Sequence, residues 1–390
     1  MFHNSQAPES LTTVIIRNDT IVKANFFKNC SVLEQVEYLN SPTEIEERAF
    51  DGCTSLRRFL TTQPDDINGN PIYTTTITTI GANAFSGCSS LEELMIKTLS
   101  HPLNYYFSGP SATYTTYALE TVTFISTDDY ILPSSAFSGW SNIQHIILSS
   151  GLTTVSDYAF RDVHAVVDLS NVENITIAAF GFANYLGTSI DLTNVQEIGN
   201  KGFYQCTNLT SISIPSTVTS IGTNAFEGCT SLETITLNSS LTTLPSYMFS
   251  GCTKLSTVDL SNVITISEYA FSGCTSLSSI TFSNSLVTIG RYAFSGCSSL
   301  ISIVLPNSIQ SLKDNIFNNA CNLVEVTITN EITECDSISL SNTGSLLNVC
   351  VPANLLSYYM GIFGEYTFHY STYNNWYECY YDISLKSFDI

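Results

Sequence analysis

The chain has 390 residues, with 13 basic and 34 acidic side chains and a formal net charge of −21. Hydrophobic residues make up 44% and charged residues only 12%, a balance that excludes a disordered chain. So acidic a surface repels nucleic acid and anionic membranes, and no apolar run approaches the roughly 20 residues of a membrane span.

The N-terminus reads "MFHNSQAPESL". It has neither the basic n-region nor the apolar h-region of a signal peptide, so the sequence by itself points to the cytoplasm. A half-repeat, "LTTVII" (Leu11 to Ile16), precedes the first of a series of phenylalanine anchors. Looser copies are anchored at Phe27, Phe50, Phe85, Phe107, Phe137, Phe160 and Phe180. Tighter ones follow at Phe203, Phe226, Phe249, Phe271, Phe294 and Phe317, making thirteen anchors. The step from Phe50 to Phe85 is 35 residues, and the excess falls near 61–76, where Pro64, Gly69 and Pro71 mark an exposed loop. A second insertion falls near 109–117.

Each tight unit reads the same way over 22 or 23 residues. Six residues after the anchor comes Leu209, Leu232, Leu255, Leu277, Leu300 or Leu323. A short alternating run follows, the pattern of a strand with one buried face. A second apolar pair, such as Leu286 and Ile289, leads into the next "AF". A unit this short cannot bury its own apolar side. Stacked copies bury a continuous core, so the expected fold is mainly β: a solenoid of about thirteen repeats over 1–329, with its strands in a parallel sheet. After Ile328 the repeat fades. "NVCVPANLLSYYM" (Asn348 to Met360) reads as a last strand, Pro352 and a short helix, and 330–390 as an aromatic-rich C-terminal cap.

The segment "LTSISIPSTVTSIGTNAFEGCTSL" (Leu209 to Leu232) resembles the BspA-like leucine-rich repeat, and the resemblance covers about residues 10–330. "VPANLLSYYM" and "NNWYECYYDI" resemble that family's closing segment. The resemblance implies a right-handed, curved solenoid with its parallel sheet on the concave side. It also implies adhesion to host matrix or other cells, and hence a cell-surface or secreted location.

Eight of the twelve cysteines sit three residues after an anchor, including Cys206, Cys229, Cys252, Cys274 and Cys297. With Phe203, Phe226, Phe249, Phe271 and Phe294 they are expected to form a structural core ladder. Val163, Ala183 and Ala320 take the same slot elsewhere, and cysteine behaves as a small buried hydrophobe. No C-x-x-C pair offers zinc its ligands. Thiols in neighbouring rungs lie within disulfide reach but point in parallel. "PDDINGN" (Pro64 to Asn70) lacks the closing glutamate of a calcium loop, since the twelfth residue from Asp66 is Ile77. The five histidines, His145 among them, have no nucleophile paired with them in sequence. The expectation is therefore no metal, no cofactor and no catalysis.

A binding surface is the remaining prospect. Residues flanking the central apolar position of each strand point away from the core. They are Ser211 and Ser213, Thr234 and Thr236, Thr257 and Asp259, Ser279 and Thr281, with Asp168 and Asp191 in the slot of Asp259. This face of small hydroxyls and carboxylates is the candidate site for a protein or glycan ligand. An intracellular scaffold, favoured by the many thiols, and an ice- or crystal-binding surface of Thr/Ser rows are the alternatives. The first ten residues carry too little apolar area to cover the first rung, so self-association through residues 10–50 is expected.

Overall fold

Alternating apolar residues bury one face of a strand, and a 23-residue unit has to turn back at once to lay that face on its neighbour. The computed structural model describes residues 10–17, 21–39, 44–61, 79–96, 100–107, 117–124, 129–149, 151–167, 169, 172, 174–175, 188–238, 240–335, 348–363 and 367–371. The inserts near 61–76 and 109–117, Asp168, Phe180 and most of the C-terminal aromatic run lie outside them, apart from Thr61 and Tyr117 at the insert ends. The chain divides into two units, Met1–Cys229 and Thr230–Ile390.

In the first unit seven parallel strands follow one another in chain order: Thr13–Arg17, Gln35–Leu39, Arg58–Thr61, Glu93–Ile96, Thr121–Phe124, His145–Ile147 and Val166–Val167. Their register aligns Val36, Phe59, Leu94, Val122, Ile146 and Val167, all buried, in one column. On the other side of each rung runs a second set of short parallel strands. Ile21–Val22, Glu44–Ile45 and Thr79–Ile80 form one sheet, and Tyr130–Leu132 through Ser220–Ile221 another.

The second unit repeats the scheme. Thr257–Leu260 pairs with Ser279–Phe282, and Ser302–Leu305, Glu325–Ile328 and Asn348–Pro352 continue in parallel. Short strands from Thr243–Leu244 to Glu334–Cys335 form its second sheet. After Pro352 come a 3-10 turn and the helix Leu356–Phe363. Asn348–Pro352 is not the last strand, because Thr367–Ser371 follows the helix and pairs parallel to it. Its alternation was hidden in the sequence by the surrounding run of aromatics. Tyr359 ties the helix to the array: its buried hydroxyl donates to Asn330 O at 2.6 Å and accepts from Ile332 N–H at 3.0 Å.

The anchors stack from rung to rung. Phe203 lies 5.3 Å from Phe226 in the first unit, and Phe271 lies 5.4 Å from Phe294 in the second, each pair 2° from parallel. The anchor N–H groups bridge the rungs as well, as from Phe203 to Ala225 O and from Phe271 to Ala293 O, both at 2.8 Å. Among the described residues, the anchor-bearing turn has two left-handed residues in eleven rungs. One lies two positions after the anchor and is glycine in seven rungs, such as Gly273 at φ +73°. The other lies two positions before it and is never glycine: Tyr269 sits at φ 56° and Arg48 at φ 55°. Such a residue costs roughly 1–2 kcal/mol. In the second unit, stacking of Tyr247, Tyr269 and Tyr292 at 4.6 and 4.9 Å offsets part of that cost.

Candidate functional site

The thiol column is buried and more specific than a row of small hydrophobes. Cys53 Sγ lies 3.0 Å from Phe27 O, Cys229 Sγ 3.2 Å from Phe203 O, Cys274 Sγ 3.1 Å from Phe249 O, and Cys297 Sγ 3.2 Å from Phe271 O. Each thiol donates to the carbonyl of the anchor one rung earlier. That carbonyl also accepts the N–H three residues along its own rung, as Phe249 O does from Cys252 at 3.0 Å. Burial pushes the thiols of Cys53, Cys229 and Cys297 up to about 12 and that of Cys274 well above its ordinary value. A thiolate is the reactive form, so these groups are chemically quiet at neutral pH. Trp140 occupies the same slot after Phe137, buried edge-on to Phe107. Among the described residues no group of three or more His, Cys, Asp or Glu is placed to hold a metal ion. Nor is any helix among them long and apolar enough to cross a membrane.

The structure places the outward residues as the alternation requires. In the second unit Thr234, Thr236, Thr257, Asp259, Ser279 and Thr281 are all exposed. Thr257 is paired in register with Ser279, and Asp259 with Thr281, while Val258 and Leu260 between them are buried. In the first unit Ser213 and Asp191 are exposed and Ser211 is half-buried.

The aspartates have a second role that their slot did not reveal. Asp191 Oδ1 accepts from Thr193 N–H at 2.9 Å and from the Thr193 hydroxyl, and these bonds lower its pKa. Asp259 Oδ1 accepts from Ser261 N–H, also at 2.9 Å. Both close an Asx turn, that of Asp259 at the end of the strand Thr257–Leu260. Where the aspartate is present, the following apolar residue comes after three positions, Leu260 to Val263, with Val263 N–H on Leu260 O at 2.9 Å. Elsewhere it comes after four, as from Leu237 to Leu241. The repeated "DLSN" or "DLTN" (residues 168–171, 191–194 and 259–262) was the sequence signal of this shorter turn.

The hydroxyl character is interrupted along the first strands, where Thr13, Thr121 and Thr123 share the outward slots with larger residues. One slot also holds Gln35, Arg58, Glu93 and His145, and the other Ile15, Glu37, Met95 and Ile147. Arg58 Nε lies 3.5 Å from Glu93 Oε2. Ile15 and Ile147 are 47% and 53% exposed, as is Val304 in the second unit at 60%.

Stacked parallel rungs with apolar positions facing inward and a buried anchor at every described turn define a leucine-rich repeat solenoid. The profile described as "BspA type Leucine rich repeat region (6 copies)" matches residues 2–74, 68–181, 173–266 and 257–375. The chain belongs to the BspA-type leucine-rich repeat family. Among solved structures it is similar to a leucine-rich repeat protein from Bacteroides ovatus ATCC 8483, at 22% identity over 92% of this chain and 84% of that one, with a TM-score of 0.43. It is also similar to a leucine rich cell surface protein from Faecalibacterium prausnitzii A2-165, at 22% identity over 90% of each chain, TM-score 0.38. A leucine-rich repeat protein of T. pallidum matches at 26% identity over 50% of this chain and 88% of that one, TM-score 0.28. Among curated proteins no match is found. The family is one of recognition modules.

Proposed function

We propose that the chain is a non-enzymatic adhesion module that recognises a protein or glycan across the exposed face of its long strands. The observation that carries this reading is the register of the second unit. Thr257 with Ser279 and Asp259 with Thr281 align small polar groups on the outward face, with Val258 and Leu260 buried beneath. A partner reaches such a face without displacing bulky side chains. Individual polar contacts contribute about 0.5–1.5 kcal/mol each, so useful affinity requires contacts on several rungs.

The test is binding to immobilised extracellular-matrix proteins and to a glycan array, comparing the parent with Ser211→Arg, Thr236→Arg, Asp259→Arg and Thr281→Arg. Each adds bulk and positive charge without touching the core. Weakened binding in the face variants supports the reading, and unchanged binding in all four refutes it. The thiols favour a second reading, an intracellular scaffold, because cysteine-rich chains with free thiols suit a reducing compartment. Localisation of the native protein separates the two.

A further inference from the structure

In the second unit two neighbouring rungs close their turns with different lengths. The rung of Leu237 has the longer turn and that of Asp259 the shorter, and their turn residues line a cavity of about 230 Å³. This is below the roughly 300–1,000 Å³ of sites for drug-sized molecules, and suits a single side chain. Part of its lining is apolar: Ile235, Leu237 and Leu241 are only half-buried there, whereas Val258 and Leu260 in the next rung are buried. Its polar groups are Thr236, Asn238, Asp259, Ser261 and Asn262. Asn238 is 8% exposed, with Oδ1 already accepting from Ser240 N–H at 2.9 Å. Asp259 spends Oδ1 on Ser261 N–H and has no cation on its other oxygen among the described residues.

We infer that this cavity receives one lysine or arginine side chain of a partner protein, its stem against Ile235 and Leu237 and its cation on Asp259 Oδ2. The inference rests on the recognition face proposed above. Three features converge on it. Long basic side chains cover apolar surface with their methylenes while keeping the charge at a polar rim. A carboxylate with one oxygen held by the backbone is already oriented for a charge-assisted bond. The net charge of −21 steers basic partners toward the chain.

The probes are Nα-acetyl-L-arginine amide and Nα-acetyl-L-lysine amide, titrated into full-length protein labelled at Ile, Leu and Val methyls. Methyl glycosides serve as the competing occupant and Nα-acetyl-L-glutamate amide as the anionic control. Saturable shifts at the methyls of Ile235, Leu237 and Leu241 are expected with the basic probes alone, weakening as salt rises. Asp259→Asn keeps the turn, because an amide oxygen accepts from Ser261 N–H just as that of Asn238 does from Ser240. It is expected to weaken the basic probes about three- to fivefold. Asp191→Asn, which removes the same charge from a like turn in the other unit, leaves them unchanged. The inference is overturned if basic probes give no saturable shift, if glycosides shift these methyls instead, or if both Asn variants behave alike. Should that happen while Thr236→Arg or Thr281→Arg still weakens partner binding, the recognition face stands and only the cationic pocket is lost.

Discussion

Substitution at Cys274 separates a hydrogen-bonded thiol from a merely apolar one. Its side chain is fully buried, with Sγ 3.1 Å from Phe249 O. In an apolar slot, serine costs more than alanine, because an unsatisfied buried hydroxyl costs about 1–3 kcal/mol. In the slot observed, the serine hydroxyl inherits the carbonyl. Cys274→Ser then loses only part of the sulfur's packing, about 0.5–1 kcal/mol on the scale of one methylene. Cys274→Ala loses the whole sulfur and its bond and leaves a small void, about 1.5–2 kcal/mol. The predicted order is therefore serine milder than alanine, the reverse of the apolar case. Urea unfolding under reducing conditions gives the global order. Hydrogen exchange of the segment around residues 269–280 gives the local one, which matters because repeat arrays need not unfold in a single step. If Cys274→Ser is the more destabilised variant in both assays, the thiol–carbonyl bond contributes nothing and the slot is simply apolar.

Three further outcomes follow from the same geometry. The slot thiols are raised from an ordinary 9.0 to about 12 at Cys53, Cys229 and Cys297, so their stabilising effect is complete below pH 9 and is lost as the pH rises towards 12. Unfolding is expected to ease over that window, and at pH 8 a thiol reagent is expected to label exposed Cys321 in the native protein but the slot cysteines only after denaturation; prompt native labelling of the column would contradict this. Tyr359→Phe removes the hydroxyl shared by Asn330 O and Ile332 N–H and is expected to cost about 1–3 kcal/mol, read as faster exchange at Ile332; unchanged exchange there would rule out the clamp. The strand Thr13–Arg17 pairs on one side only among the described residues, so the protein is expected to associate with rising concentration through this edge and Ile15→Lys to suppress it; strictly monomeric light scattering for the parent would refute the edge contact.

The core was legible because it repeats. Spacing alone identified Phe271, Cys274 and Leu277 as inward positions, and all three are fully buried. The turn before each anchor was not legible. Glycine announces a left-handed residue, as at Gly273, but tyrosine at 269 and arginine at 48 do not, and only the stacking of neighbouring rungs forces them there. Trp140 was missed for a similar reason. A column of small residues gives no notice that one rung, beside Phe107, has space for an indole. The short second strands were visible as apolar pairs, yet two residues are too few for alternation to declare a strand.

The candidate face was legible in part, and the part that was not decides how its aspartates are to be understood. Alternation placed Asp259 outward, and exposure agrees. Its bond to the turn was not legible, because alternation along a strand says nothing of the turn that follows it. The turn needs an acceptor for Ser261 N–H once one residue is removed after Leu260, and aspartate provides it from the last outward position of the strand. Asn238 and Ser283 provide the equivalent acceptor in other rungs, for Ser240 and Ser285. None of those turns requires a charge. Aspartate therefore supplies a shorter turn together with an oriented carboxylate on the open face, and Asp259→Asn separates the two effects: the bond to Ser261 remains, and only what the charge recruits is lost.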